Sequence, residues 1–247
     1  MALEMARVPA TNEPGTETLI AFQLGTAMHD FCQDAMDALW TDFEREVVVD
    51  LRPMGFNVSG HADWVYSMGE IDGSPRRLVG ELKTMKSYPF KIAQRDGEPK
   101  LEHVAQAAIY AIGLEADGIH MVYICKETGM RRDGIHPGQI LEWILSMDDV
   151  IEGETIRDIG MGELYRMQRV WDRVQQGVIP ERDIPGYGPV DNPPLYHGEG
   201  HPWNCRYCNH RDACAPLPTE GVPVTVATTP VQEAWNPPVG DGAEAAA

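Results

Sequence analysis

The chain has 247 residues, with 38 acidic against 20 basic side chains and a formal charge of −18. That length allows one sizeable core with a terminal appendage, and the charge excludes a nonspecific nucleic-acid coat, which would rest on Lys and Arg. No apolar run reaches the length of a membrane span and Met1–Gly15 lacks the basic start and apolar middle of a signal peptide, so a cytoplasmic protein with no membrane partner is expected.

Residues 1–16, with Pro9, Pro14 and Gly15, read as a flexible lead-in. From Thr18 to about Trp40, apolar residues recur at helical spacing, among them Leu24, Met28, Phe31 and Ala35. Glu44–Leu51 alternates as a strand does, and Pro53-Met54-Gly55 marks a turn. Phe56–Tyr66 is expected as a second strand and Arg76–Thr84 as a third, with Asp72-Gly73-Ser74-Pro75 turning between them. A loop is expected over Lys86–Pro99, a helix over Leu101–Leu114 and a short apolar strand over Ile119–Lys126. After Gly138 the pattern is mainly helical to about Gln176, followed by a Pro- and Gly-rich stretch. Residues 217–247 have the composition of a disordered acidic Pro/Ala tail. This order predicts an α/β protein whose mixed central sheet is flanked by helices.

The chemistry concentrates on two of these strands. Alternate strand residues face the same way, so Glu81 and Lys83 project together while Leu82 points into the core. Asp63, in Gly60-His61-Ala62-Asp63, would bring a second carboxylate from the neighbouring strand. Two carboxylates and an ammonium can hold a hard divalent cation and act on a phosphodiester. His29 lies one helical turn after Gly25, whose small size would allow close packing on that face. Gln106 and Tyr110, four apart, share a helix face, with His103 a turn earlier. His61 would share the face of Asp63 in a regular strand and reads as incidental. Between Arg76 and Lys100 there are seven basic residues against three acidic, a local reversal of the overall charge.

Five cysteines are present, and Cys205, Cys208 and Cys214 have metal-ligand spacing, which fits a reducing compartment better than a disulfide framework. Soft thiolates select zinc or an iron–sulfur cluster. His201 or His210 could complete a zinc site, whereas a 4Fe–4S cluster wants a fourth thiolate. Cys125, in an apolar strand, reads as a core residue.

Taken in order, Gly25…His29, Asp63, Glu81-Leu82-Lys83, Gln106…Tyr110 and the cysteine cluster resemble the RecB-like branch of the PD-(D/E)xK nuclease superfamily. The similarity is to the iron–sulfur exonucleases of the Cas-four type, found in CRISPR systems and phages. The resemblance covers about residues 17–216 and implies a restriction-endonuclease-like core carrying a C-terminal cysteine-cluster segment. It implies that His29, Asp63, Glu81 and the Leu82 carbonyl hold Mg²⁺ or Mn²⁺, and that Lys83 orients or deprotonates the attacking water. Gln106 and Tyr110 would contact the DNA strand. Cys205, Cys208 and Cys214 would bind a 4Fe–4S cluster, with structural Zn²⁺ as the alternative. In the family the first cluster cysteine precedes the motif histidine; here none does, and Cys32 is the N-terminal candidate. The implied activity is exonucleolytic hydrolysis of single-stranded DNA ends in phage-type recombination, replication or end processing. Alternatives are a noncatalytic DNA-binding module on a nuclease scaffold, and a trimming factor that acts with an integrase partner.

Overall fold

The computed structural model describes residues 15–40, 42–71, 74–127, 129, 134–179 and 222–223. The chain divides into two compact units, Glu13–Trp171 and Met1–Asn12 with Asp172–Ala247. The elements of the larger unit are α1 (Thr16–Asp37), β1 (Glu44–Asp50), a 3₁₀ turn (Arg52–Met54), β2 (Ser59–Ile71), β3 (Ser74–Met85), α2 (Ser87–Asp96), α3 (Leu101–Gly113), β4 (Gly118–Cys125), β5 (Ile140–Ser146), β6 (Val150–Ile151) and β7 (Glu154–Thr155). Helix α4 (Ile156–Gln175) follows β7 and runs past Trp171. In the second unit Val178–Ile179 (β8) pairs antiparallel with Val222–Pro223 (β9), so these two residues of the expected tail are ordered as a strand.

Five strands form one mixed sheet in the order β1-β2-β3-β4-β5. All neighbours are antiparallel except β3 and β4, which run parallel from Leu78–Gly118 to Met85–Cys125. A parallel pair needs a long crossover, and α2 and α3 supply it. The expected α/β class with a mixed sheet flanked by helices is what the chain adopts.

Two expectations were wrong in detail. The loop placed over Lys86–Pro99 contains α2, because Phe90 and Ala93, three apart, bury one helical face. Pro89 falls in the first turn, where its missing N–H removes no intrahelical bond, and Gly97 ends the helix with φ 74°. The stretch after Gly138 begins as β5 rather than helix. Leu141, Trp143 and Leu145 pack against the core while Ile140, Glu142 and Ile144 face outward, a period of two in a run that also has helix-forming composition.

The sheet separates two apolar layers. On one face Val79, Met85 and Tyr123 meet Phe90 of α2 and Val104, Ala107 and Ala108 of α3. On the other, Trp64, Tyr66, Leu78, Leu82 and Ile124 meet Met28, Cys32 and Met36, which recur every four residues along α1. Tyr66 Oη lies 2.8 Å from His120 Nδ1, and His120 Nε2 lies 2.7 Å from Glu142 Oε1, so the buried imidazole is paired at both nitrogens.

One irregularity of the sheet positions Asp63. In an unbroken strand residues 62 and 64 share a face. Here Ala62 packs in the α3-side layer and Trp64 in the α1-side layer. The partner strand switches at the same place: Val47, opposite Ala62, packs on the α3 side. Arg45, opposite Trp64, reaches Asp34 and Asp37 of α1 at 2.7 Å. Between them Glu46 stands opposite Asp63 with φ 51°, a left-handed conformation that a non-glycine residue adopts only when its surroundings hold it there. The kink leaves Asp63 between the two faces of the sheet.

Candidate functional site

Asp63 reaches in three directions from the kink. Its Oδ2 accepts a hydrogen bond from the backbone N–H of Leu82 at 2.7 Å. The β2–β3 ladder reaches only Trp64–Gly80 at this end, so the carboxylate takes a donor that a continuing ladder would have used. The same oxygen lies 3.4 Å from Nδ1 of His29 on α1. The carbonyl of Asp63 accepts from Nε2 of Gln33 at 2.8 Å, and that amide also donates to Glu46 Oε1 at 2.8 Å. Gln33 is 2 % exposed and lies one helical turn beyond His29. Helix α1 therefore grips Asp63 at both its side chain and its backbone.

Glu81 and Lys83 project together on the α3 side of β3, and their charged ends form an ion pair. Lys83 Nζ also donates to Gln106 Oε1 at 3.1 Å, and Gln106 Nε2 donates to Tyr110 Oη at 3.3 Å. The sequence-expected residues His29, Asp63, Glu81, Lys83, Gln106 and Tyr110 thus come together, from α1, β2, β3 and α3. Gly60 makes room for the last of them: a Cβ there would stand 2.9 Å from the Tyr110 ring and hydroxyl. Gly80 is required for another reason, since a Cβ at that position would fall 1.7 Å from Trp64 Nε1. Gly25 is less constrained, with Thr84 Oγ1 at an ordinary 3.9 Å from its would-be Cβ, so close packing there does not demand glycine.

Glu81 is the unusual group. It is 1 % exposed, and its Oε2 has no hydrogen-bond partner. Burial, and then the Asp63 charge, push its carboxyl up to about 7, although Lys83 and His29 oppose the shift. The Asp63 hydrogen bond raises His29 above its ordinary value. His103 is held down at about 4 by burial and by Lys83, and its Nδ1 lies 2.7 Å from Tyr123 Oη, so it is a neutral neighbour of the cluster. Burial raises Tyr110, and Glu81, Lys83 and Asp63 all lie within its electrostatic reach.

An acceptor-only oxygen buried without a donor suits a cation or a proton, and two facing carboxylates suit a hard divalent ion. In their present arrangement no three His, Cys, Asp or Glu side chains among the described residues stand close enough to hold a metal ion. His29, Asp63 and Glu81 fit such an ion by donor chemistry, with Asp63 and His29 now engaged with each other.

Cys205, Cys208 and Cys214, and with them His201 and His210, lie outside the described residues. Cys32 packs half-buried with Met28 and Met36, and burial raises its thiol. Cys125 is a core residue whose thiol donates to the Glu127 carbonyl. His61 stands opposite Val48 in the ladder.

Gln33 and Glu46 were not anticipated from the sequence. The helical period places Gln33 on the His29 face, which is the signal that was there to read; nothing in the local sequence marks the left-handed turn at Glu46.

No helix among the described residues is long and apolar enough to cross a membrane. No protein-family model matches the chain, and no curated protein matches it. A solved structure described as "Crystal structure of SSO0001" is similar at a TM-score of 0.41 and 17% identity, covering 77% of this chain and 68% of that one. A likeness of that degree is silent on what either chain does.

Proposed function

We propose that the chain is a divalent-metal-dependent deoxyribonuclease of the RecB-like PD-(D/E)xK kind, acting on single-stranded DNA ends, with a restriction-endonuclease-like core. One observation carries the reading: Glu81, a buried carboxylate with an unpartnered oxygen, lies between a second carboxylate and a lysine beside a polar helix face. Burying such charge works against folding and is retained where function needs it. Asp63 and Glu81, with His29 and the Leu82 carbonyl, would hold Mg²⁺ or Mn²⁺. The ion, when bound, polarises a phosphoryl oxygen and makes a water more acidic.

The remaining work falls to the chain's own groups. Lys83 places a positive charge where the phosphoryl centre gains negative charge. Gln106 holds that ammonium in position and presents its amide toward Tyr110. Tyr110 offers a hydroxyl to a phosphate or a ring face to a base. His29 orients the Asp63 carboxylate from α1. Cys205, Cys208 and Cys214, with Cys32 as fourth thiolate, would bind a 4Fe–4S cluster of structural role, Zn²⁺ being the alternative. A brown anaerobic preparation that turns colourless in Cys32→Ser would support the cluster and that ligand.

The direct test is digestion of end-labelled single-stranded DNA by the purified protein in Mn²⁺. Glu81→Ala and Lys83→Ala should each lower the rate by a hundredfold or more; full activity in both would refute the site. Binding without cleavage in every divalent metal tried would leave a noncatalytic DNA-binding module instead.

A further inference from the structure

Helix α2, between β3 and α3, has two unlike faces. Phe90 and Ala93 bury one against the core. Tyr88, Lys91 and Arg95, spaced i, i+3 and i+7, share the other, and all three are exposed, Tyr88 to 73%. The Arg95 guanidinium lies within electrostatic reach of the Tyr88 phenol. Both ends of the helix are fixed. The N–H and hydroxyl of Ser87 donate to Glu127 Oε1 at 3.1 and 3.2 Å, and Trp143 Nε1 donates to the Gly97 carbonyl at 2.7 Å. An exposed aromatic followed by two cations along one face of a fixed helix is not needed by the fold, since the apolar contacts are made on the opposite side.

The charge there runs against the rest of the chain. Lys86–Lys100 carries four basic residues (Lys86, Lys91, Arg95, Lys100) and two acidic ones (Asp96, Glu98), in a protein of net charge −18. Arg95 is paired with Asp96 at 2.7 Å, with both partners well exposed, and such a pair is weak enough for a phosphate to displace. Tyr88 is five residues from Lys83, so their Cα atoms are at most about 18 Å apart, a distance a few nucleotides span.

We propose that the Tyr88–Lys91–Arg95 face of α2 holds the single-stranded DNA next to the reacting phosphate, with a base stacked on Tyr88 and phosphates on Lys91 and Arg95. This rests on the hydrolase reading above and extends it to the path of the strand. A single strand is specified over a duplex because only an unpaired base has a free face for the ring; stacking of this kind tolerates any sequence and is strong per base.

The test uses the full chain with Glu81→Gln, to prevent cleavage, and a fluorescent oligothymidylate in Mg²⁺, read by anisotropy. Tyr88→Ala should weaken binding about 10-fold and Tyr88→Phe should restore it. Lys91→Ala with Arg95→Ala should weaken binding and flatten the dependence of log affinity on log salt by about 0.7 per charge removed. All these positions are exposed, so melting temperature should stay within a degree or two, and a variant that melts normally yet binds poorly supports the proposal. Unchanged affinity in Tyr88→Ala and in the double variant, or equal binding of duplex and single strand, overturns it. If the wild-type protein cuts single-stranded DNA while these variants bind normally, only the strand path is wrong. If the wild-type protein neither binds nor cuts it, the hydrolase reading has failed first.

Discussion

At the residue scale, Glu81 ties stability to pH in a direction opposite to most carboxylates. Its folded value of about 7 stands above the ordinary 4.5, so the folded protein holds an extra proton between those values. Stability therefore declines as pH rises from about 4.5 to 7, and the whole cost is present above 7. Glu81→Gln should raise the melting temperature by a few degrees at pH 8 and by much less at pH 5, while abolishing the proposed nuclease activity. For the wild type, cation binding and activity should climb as pH rises through about 7, because a protonated carboxyl is a poor ligand; a profile that falls over that interval would count against Glu81 as a ligand. His29 acts in the same direction at higher pH: its value is raised, so its contribution is complete below 6.5 and is lost as pH rises through the folded value. Gln33→Ala strips a buried carbonyl of its donor and should cost about 1–3 kcal/mol in urea unfolding. It should also raise the Mn²⁺ concentration needed for half-maximal activity, which simple loss of stability would not do.

Among the elements, the strands bearing the site were legible because Glu81-Leu82-Lys83 alternates cleanly, and the face shared by Gln106 and Tyr110 followed from a spacing of four. The geometry of Asp63 was not legible. Alternation would have put it on the face of His61, whereas the switch at Glu46 turns it into the gap between strands, and a single left-handed residue leaves little trace in composition. Helix α2 was hidden because ten residues with a proline near the start and only two buried apolar positions look like a loop. Gly80 shows how little latitude the site-bearing strand has. Gly80→Ala should destabilise by about 3 kcal/mol or more, measured by chemical unfolding, since the indole of Trp64 occupies the space a methyl would need. The short hairpin β6–β7 has the reverse character. Glu152 and Gly153 both have positive φ, the pattern of a tight two-residue turn that favours Asn-Gly, so Glu152→Asn should stabilise by about 0.5 kcal/mol.

For the whole molecule, a charge of −18 works against nucleic-acid binding, and Arg76–Lys100 is a stretch in which basic residues outnumber acidic ones. If Lys83, Lys86, Lys91 and Arg95 carry the phosphate contacts, log affinity for a single strand should fall with log salt at a slope of about −3, shallow for a nucleic-acid-binding protein. A much steeper slope would mean that other surfaces of the chain take part. The reversal of charge is legible in the sequence but its arrangement is not, because the helix that displays it has the composition of a loop. The kink at Asp63 has one more consequence, an optical one. Trp64 is the next residue along, with a buried indole N–H that finds no acceptor and a ring lying over Gly80. Any occupant that draws on the neighbouring carboxylate must tug this chromophore, so titrating Mn²⁺ or Ca²⁺ should shift its emission, and the shift should vanish in Trp64→Phe: the protein carries its own gauge of site filling.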